Sequence, residues 1–530
     1  MAGPAPQRVS ARATGVVGVA ILCSRLLGLV REVVIASLFG ASRSLDAFLT
    51  AFRAPNMLRD LFAEGALSTA FVTTFSKKIQ SGGDQSAWGL ANKVATLTAV
   101  FMSIVVIIGI LIAPFLVSIL APGFDAEKAA LTVVLARVMY PFILLVSLAA
   151  LVMGMLNAKH VFGMPAMASS FFNIGSIIGG VSLGWWMDPA FGPRALIGLA
   201  MGTLIGGFLQ LAVQIPSLFK VGFVFRPDFN WRDEGVRKVL QLMGPAVIAA
   251  SAVQVNVLIN SIFASYMEDG AVSWLNIAFR LMQLPLGIFG VAVATVTLPL
   301  VSRSAAAGNI PEFRGALAHA LRLVMLLTIP SAIGLIILAE PIISLIYEHG
   351  RFTAAATQQT AGALRFYAAG LVGYAAIKVL APAFYALDKR HLPMIVSLLS
   401  IIENFSLNWL FTRYLGFGHR GLAMSTALVA LTDFVILYVM MRRYVGALET
   451  GTMMKTLGKL LLAGAGLAAI CWCAVEFYLG SGSHLATLPK LVAVMTTVAI
   501  GVAAFFGTAY LLRVAELRDV VAMVQRRLKR

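Results

Sequence analysis

Charge is scarce in this chain, and acidic charge is scarcer still. Only 12% of its 530 residues are charged, and 23 aspartates and glutamates stand against 41 lysines and arginines. Soluble domains are typically about 25% charged and about 45–50% apolar, whereas 59% of this chain is hydrophobic and its mean hydropathy is +0.89. The composition therefore excludes an ordinary soluble domain and predicts a membrane protein with many spans.

Residues that bind metals or carry out catalysis are few and scattered. The three cysteines are Cys23, Cys471 and Cys473, and the Cys-x-Cys spacing of the last two is not that of a metal site. The six histidines form no cluster, and the chain lacks nucleophile-elbow, phosphate-loop, zinc-protease and dinucleotide-binding motifs. No Asp-rich pair that could hold Mg²⁺ lies beside the arginines. We therefore predict no enzyme activity, no catalytic residue, no cofactor and no bound metal.

Long apolar runs fill most of the chain. A membrane-spanning helix needs about 20 mainly apolar residues. Fourteen segments provide them, and we call these predicted spans 1 to 14: roughly 14–38, 45–75, 90–120, 131–157, 164–187, 194–219, 237–266, 272–301, 317–346, 357–386, 392–413, 420–441, 456–479 and 489–513. The predicted fold class is an all-α polytopic membrane protein.

The net charge of +18 is distributed as in a membrane protein. Lysines and arginines concentrate in alternate loops and at the termini, as at Lys77, Lys78, Lys220, Arg442 and Arg443, while the opposite loops hold few. This asymmetry predicts that both termini lie in the cytoplasm. The basic sequence RRLKR at 526–530 should lie on anionic headgroups, and we expect no nucleic-acid partner.

The chain contains an internal repeat. Ala51, Phe52 and Arg53 recur 227 residues later as Ala278, Phe279 and Arg280, and a nearly constant offset holds over about 170 residues. The repeat predicts an N-lobe at 1–219 with spans 1–6, a cytoplasmic linker at 220–236, a C-lobe at 237–445 with spans 7–12, and a final segment at 446–530 with spans 13–14 and the basic tail. Parallel repeats of this kind place a substrate site at the lobe interface, near the membrane midplane.

Several arginines lie within predicted spans, where an ionised side chain costs about 2.5–3.5 kcal/mol or more unless it faces protein or water. Four of them are candidates for a shared site. They are Arg25, Arg31, Arg59 and Arg280. In the second copy, the first three are replaced by Ser251, Val257 and Leu286. Folding alone would not require this difference. We therefore hypothesise that the four arginines line one central cavity and bind an anion, because guanidinium groups suit bidentate recognition of phosphate or carboxylate.

Helical spacing groups further residues with these arginines. Ser24, Gly28 and Arg31 share one stripe of span 1, and Asn56 shares a stripe of span 2 with Arg59. Pro55 should kink span 2 and expose backbone carbonyls.

Pairing with acids is the simpler alternative for these cations. Arg53 is expected to pair with Asp60, and Arg31 could pair with Glu32 or Asp46. Arg59 and Arg280 are expected to be available for a ligand, because no acid of matching depth is left over for both.

Four stretches resemble the MurJ/MviN lipid II flippases of the multidrug/oligosaccharidyl-lipid/polysaccharide exporter superfamily. They are SRLLGLVRE (Ser24–Glu32), the PNMLRDLFAEGALSTAFV region of Leu45–Val72, AFRLMQLPLGIFGVAVATVTLPLVS (Ala278–Ser302) and VLAPAFYALDKRHLP (Val379–Pro393). The resemblance covers nearly the whole chain.

The resemblance assigns roles to individual residues. Arg25, Arg31, Arg59 and Arg280 match the family's cavity arginines, and Ser24, Asp46, Asn56 and Glu64 match other functionally sensitive positions. We expect Ser24 and Asn56 to bind substrate with the arginines, and Asp46, Glu64, Gly28 and Pro55 to act in gating.

The resemblance also concerns the last two spans and reveals departures from the family. Spans 13 and 14 would form a groove for a lipid tail. The family often has acids where this chain has Phe279 and Gln283, which makes the cavity more cationic. Lys378 occupies the region of a sodium site found in some relatives, so no metal is expected.

The function implied is the movement of undecaprenyl-diphosphate-linked peptidoglycan precursor across the bacterial inner membrane. Lipid II and membrane lipids would be the partners, with cell-wall synthesis or division proteins as further candidates. A flippase of another polyprenyl-linked glycan, or a scaffold that transports nothing, remain alternatives. A drug or cation exporter of the same superfamily would need acids in its cavity, and the arginine excess argues against it.

Overall fold

The computed structural model describes residues 11–480 and 486–518, with the side chains of 11–17, 63–66 and 248–250 outside the description. The described chain is helical, without a β-strand. It forms two compact units, Met1–Gly270 and Ala271–Arg530.

The first unit contains ten α-helices among its described residues. They are α1 (Ala11–Phe39), α2 (Arg43–Leu58), α3 (Ser68–Leu111), α4 (Ala113–Leu120), α5 (Ala126–Met139), α6 (Phe142–Ala158), α7 (Gly163–Met187), α8 (Ala195–Ala212), α9 (Ile215–Lys220) and α10 (Glu234–Ser265). A π-helix, Arg59–Leu67, joins α2 to α3. Gly83, at φ 70°, bends α3.

The second unit has a similar order of helices. They are α11 (Ala271–Pro285), α12 (Val291–Ala306), α13 (Ile310–Ile337), α14 (Ala339–Tyr347), α15 (Ala354–Ala369), α16 (Leu371–Ala386), α17 (His391–Trp409), α18 (Gly418–Val445), α19 (Thr450–Ala474) and α20 (Thr487–Leu511). Short π-helices follow α11 (Leu286–Gly290), α17 (Leu410–Tyr414) and α19 (Val475–Leu479).

Ten helices of the described chain are long and apolar enough to cross a membrane, and the number rises to twelve if each of two bent pairs is one span. Their positions coincide with predicted spans 3 to 14. Predicted spans 1 and 2 are helical but are not among them. The second is divided into a 16-residue α2, which carries Arg43, Asp46 and Arg53, and the π-helix. The protein is thus an all-helical membrane protein, while the fourteen-span, two-lobe layout remains a prediction.

The internal repeat is visible in the order of the elements. The π-helix after α2 begins at Arg59, and the one after α11 begins at Leu286, which is the same 227-residue offset. The prolines do not share this register, because Pro55 precedes its π-helix by four residues and Pro285 precedes its own by one. The π-helix is therefore a feature of the repeated backbone, and its position is not set by a proline.

Glycines bring α7 and α8 into close contact. A Cβ atom added at Gly202 would lie 2.3 Å from the Gly180 Cα, and one at Gly206 would lie 2.5 Å from the Phe172 carbonyl oxygen. Gly198 adds a third position with the same four-residue spacing on α8. Small residues at this spacing let membrane helices approach closely. The contact fixes α7, whose other side packs on α1.

Candidate functional site

The predicted stripe of α1 packs against α7. Asn173 of α7 is 6% exposed, and its Nδ2 donates hydrogen bonds to the carbonyl oxygens of Ser24 and Ser169, each at 3.1 Å. The same amide lies beside Gly28, where an added Cβ would be 3.6 Å from Nδ2. Ser24 and Gly28 therefore form part of a helix contact.

Arg31 lies at the end of this stripe, above an aromatic ring. Its guanidinium carbon is 5.1 Å from the centroid of Phe172, a separation typical of a cation–π contact. The Phe172 ring contacts Phe142 of α6, which in turn contacts Phe52 of α2, each at a centroid distance of 5.5 Å. A row of aromatic rings from α7, α6 and α2 thus supports the Arg31 head group of α1.

Arg25 differs from Ser24, Gly28 and Arg31 because its side chain is exposed on α1. Among the residues that the structure describes, no acid forms an ion pair with it. It is therefore the arginine whose removal should disturb the protein least.

The structure corrects the predicted pairing in span 2. Arg59 Nη2 donates to Asp60 Oδ1 at 3.0 Å, and its side chain is partly buried. The expectation that no acid is left over for Arg59 is therefore wrong. Arg53 Nη1 instead donates to the Val257 carbonyl oxygen of α10 at 3.4 Å. The Arg53–Asp60 pairing assumed a regular α-helix through this region, which the π-helix from residue 59 interrupts.

The predicted kink residue lies directly before the π-helix. Pro55 is buried near the end of α2, and its carbonyl oxygen and that of Asn56 both accept from the Arg59 backbone N–H. The Asn56 side chain is half-buried. Glu64 lies within the π-helix, but its side chain is outside the described residues.

Asp46 lies in a buried ion pair near the start of α2. Its Oδ2 accepts from Lys128 Nζ at 3.1 Å and from the Gly270 backbone N–H at 2.7 Å. Lys128 Nζ also donates to Asp269 Oδ1 at 2.7 Å and lies 4.2 Å from the Phe124 ring centroid. Asp46, predicted as a gating residue, thus holds the start of α5 and the turn after α10 to α2.

Surface charges surround this ion pair. Arg43 bonds to Asp125 and lies 3.8 Å from Asp269. The Lys128 backbone N–H and Arg43 together hold the pKa of the Asp125 carboxyl below its usual value. Asp125 also caps α5 through the N–H groups of Glu127 and Lys128.

Arg280 belongs to the second unit. Its side chain is exposed on α11. The preceding Phe279, where the family often has an acid, packs edge-on against Tyr367 at 5.3 Å and Tyr374 at 6.5 Å. The aromatic substitution therefore anchors α11 beside Arg280.

An apolar groove runs between α19 and α20 in the second unit. It has a volume of about 670 Å³, within the roughly 300–1,000 Å³ typical of ligand pockets. Its walls include Ile470, Phe477, Leu488, Val492 and Ile500. The groove lies between the two helices that correspond to predicted spans 13 and 14.

Sequence reasoning did not identify two residues of the site. Asn173 is the only amide in predicted span 5, and this alone would have marked it, because polar groups within a membrane usually bond to a neighbouring helix. Lys128 lies in the first turn of α5 and gave no such signal, because its burial depends on how α5 packs against α2.

The α1–α7 contact predicts that size matters at Gly28. Gly28→Ala should keep transport near wild type, because the new methyl group would make an ordinary contact with Asn173. Gly28→Leu should lower stability by about 1–3 kcal/mol through overpacking and reduce transport. The matched control is Gly18→Leu, since no atom lies within 4 Å of a Cβ at that position on the same helix. Equal activity of both leucine variants, measured at matched expression, would refute this account of the stripe.

Comparison with known proteins identifies the family. The family model described as "Lipid II flippase MurJ" matches residues 35–493. The chain belongs to the MurJ family. It is 33% identical to a lipid II flippase MurJ of Burkholderia cenocepacia over 93% of this chain and 95% of that protein.

Solved structures agree with membership of the MurJ family. A lipid II flippase MurJ in an inward closed conformation matches with a TM-score of 0.75 and 26% identity, over 92% of this chain and 98% of that one. An inward-facing multidrug resistance MATE family transporter of the MOP superfamily shares the fold, with a TM-score of 0.66 and 15% identity over 81% of this chain and 96% of that one.

Proposed function

We propose that this protein is a lipid II flippase of the bacterial inner membrane, with both termini in the cytoplasm. It moves undecaprenyl-diphosphate-linked peptidoglycan precursor from the cytoplasmic to the periplasmic leaflet. The observation that carries the proposal is the match to the MurJ family over most of the chain, with relatives that bear this name.

The arginines supply the chemistry that this substrate needs. The diphosphate is anionic, and a guanidinium can bind it through two parallel charge-assisted hydrogen bonds. We propose that Arg25, Arg31, Arg59 and Arg280 contact the head group in a cationic central cavity, with Ser24 and Asn56 beside them. The cation–π contact of Arg31 supports this role, because it holds a guanidinium group in place before substrate arrives, whereas Arg59 would have to exchange its Asp60 pair for the diphosphate.

The groove between α19 and α20 supports a separate site for the lipid tail. Its lining is almost entirely apolar, and burial of a polyprenyl chain there is favoured by the hydrophobic effect. The two lobes would expose the arginines alternately to either side of the membrane while the tail stays in an apolar environment. Asp46, Glu64, Gly28 and Pro55 are proposed to act in this transition.

Outward movement of labelled lipid II tests the proposal. Cells depleted of their own flippase should regain access of lipid II to a reagent confined to the outer face when they express this chain. An empty vector and a variant that lacks α19 and α20 would serve as controls. If the folded wild-type protein restored no movement, the substrate would be wrong, and another polyprenyl-linked glycan would be tested in the same assay.

A further inference from the structure

The segment between α9 and α10 is fastened along α3. We call residues 223–232 the strap. Asn92 Nδ2 donates to the Val224 carbonyl oxygen at 3.1 Å, and its Oδ1 accepts from the Arg226 backbone N–H at 3.0 Å. The Asp228 backbone N–H donates to Thr96 Oγ1 at 3.1 Å. Two side chains one helical turn apart on α3 therefore hold three backbone groups of a segment without regular secondary structure.

Both ends of the strap are also fixed. Phe223 is 5% exposed and packs edge-on against Trp88 at 5.4 Å. At the other end, Lys93 Nζ donates to Asp233 Oδ2 at 2.7 Å, and Asp233 caps α10 through the N–H groups of Gly235 and Val236. Burial alone would raise the pKa of Asp233, but the Lys93 pair and these N–H groups bring it below its usual value. The backbone of the strap is therefore held against α3 at both ends.

The other side of the strap exposes aromatic rings. Phe225, Phe229 and Trp231 are 50%, 63% and 57% exposed, although the backbone beside them is held by hydrogen bonds. Exposure of these rings to bulk water is unfavourable in free energy, because each ring leaves a large apolar area unburied. These rings therefore fit an apolar or interfacial environment better than bulk water.

Cations accompany the rings. Arg226 and Arg232 are exposed on the same segment, and the Arg232 guanidinium lies 5.1 Å from the Trp231 ring centroid. Of the nearby acids, Asp228 Oδ1 accepts from the Asn230 backbone N–H and Asp233 pairs with Lys93, while Glu234 is exposed in the first turn of α10. The outward face is therefore aromatic and positively charged.

The strap follows the candidate span Ala195–Lys220 and precedes α10, while its anchors on α3 lie where predicted span 3 begins. These neighbours place it beside the membrane surface. Aromatic residues favour the headgroup region, and clustered basic residues there attract anionic lipids. We propose that the strap binds anionic phospholipids of the cytoplasmic leaflet, with its rings among the headgroups and Arg226 and Arg232 on lipid phosphates.

The accessibility of a spin label at position 229 to lipid and to water tests whether the strap contacts the membrane. A spin label at Phe229→Cys, with Cys23, Cys471 and Cys473 replaced by alanine, would be compared with a label at Ser81→Cys in the exposed bend of α3. The full-length protein would be placed in bilayers of phosphatidylcholine, with or without phosphatidylglycerol. For each label we would take the ratio of its collision rate with oxygen to its collision rate with a water-soluble nickel chelate. We expect this ratio to be at least threefold higher for the label at residue 229 than for the Ser81→Cys control.

Charge removal tests the anionic part of the proposal. Phosphatidylglycerol should increase the protection of the residue-229 label, and Arg226→Gln with Arg232→Gln should abolish that increase while the protein stays folded. A label as accessible to nickel as the control in both bilayers would overturn the proposal. So would a label that is protected in native membranes but accessible in pure lipid, because the strap would then face a protein.

Discussion

Arg25→Ala should leave the protein folded in the membrane and reduce lipid II movement by about 10- to 100-fold. A hydrogen bond to a charged group contributes about 1.5–3 kcal/mol, and this loss would fall on substrate binding. Arg25 is the most informative of the four arginines, because it is exposed on α1 and no ion pair within the described residues depends on it. Outward movement of labelled lipid II at matched expression is the measurement.

Two further variants show whether the effect arises from recognition. Arg25→Lys retains the charge but lacks the planar fork, so it should recover only part of the activity. Arg137→Gln is the matched control, because Arg137 is also exposed on a helix, where it donates Nε to the Ile110 carbonyl oxygen at 3.2 Å. Wild-type transport by Arg25→Ala would remove this residue from the proposed cavity.

Lys128→Met should lower the stability of the first unit by about 3–5 kcal/mol, the usual cost of breaking a buried ion pair. The Lys128 and Asp46 side chains are 4% and 1% exposed. In the variant, Asp46 would keep the Gly270 amide but lose the buried ammonium. The midpoint of thermal unfolding in detergent, supported by the level of folded protein, would measure the loss.

Neighbouring residues provide the controls for this prediction. Arg43→Gln should cost less than about 1 kcal/mol, since Arg43 belongs to the same group of charges but is 38% exposed. Adding Asp46→Asn to Lys128→Met should restore part of the stability, because no buried charge would then lack its counter-ion. If Lys128→Met were as stable as Arg43→Gln, Asp46 would have to act through transport and not through the ion pair.

The sequence was most informative where a long apolar pattern determines the local structure. Predicted spans 3 to 14 coincide with candidate membrane helices, because a bilayer imposes both the length and the composition of a span. The 227-residue offset also appears in the start of two π-helices. These features depend on residues that are near one another in the chain or repeated along it.

Side-chain partners were less predictable. Asp60 could have paired with Arg53 or Arg59, and a regular helix through residue 59 would have favoured the wrong one. The partner of Asp46 lies 82 residues away, and that of Ser24 lies 149 residues away. Such contacts depend on how whole helices pack, which no spacing along the chain records.

The π-helical turns at Arg59 and Leu286 also bear on how this backbone accommodates a change in length. A backbone bond from residue i to i+5 encloses one residue more than an α-helical bond, and each residue turns an α-helix by about 100°. Each π-helical turn thus accommodates an extra residue while the backbone hydrogen bonds of the helix continue. An ancestral one-residue insertion at this level, made before the duplication, would explain why both units carry the bulge at equivalent positions.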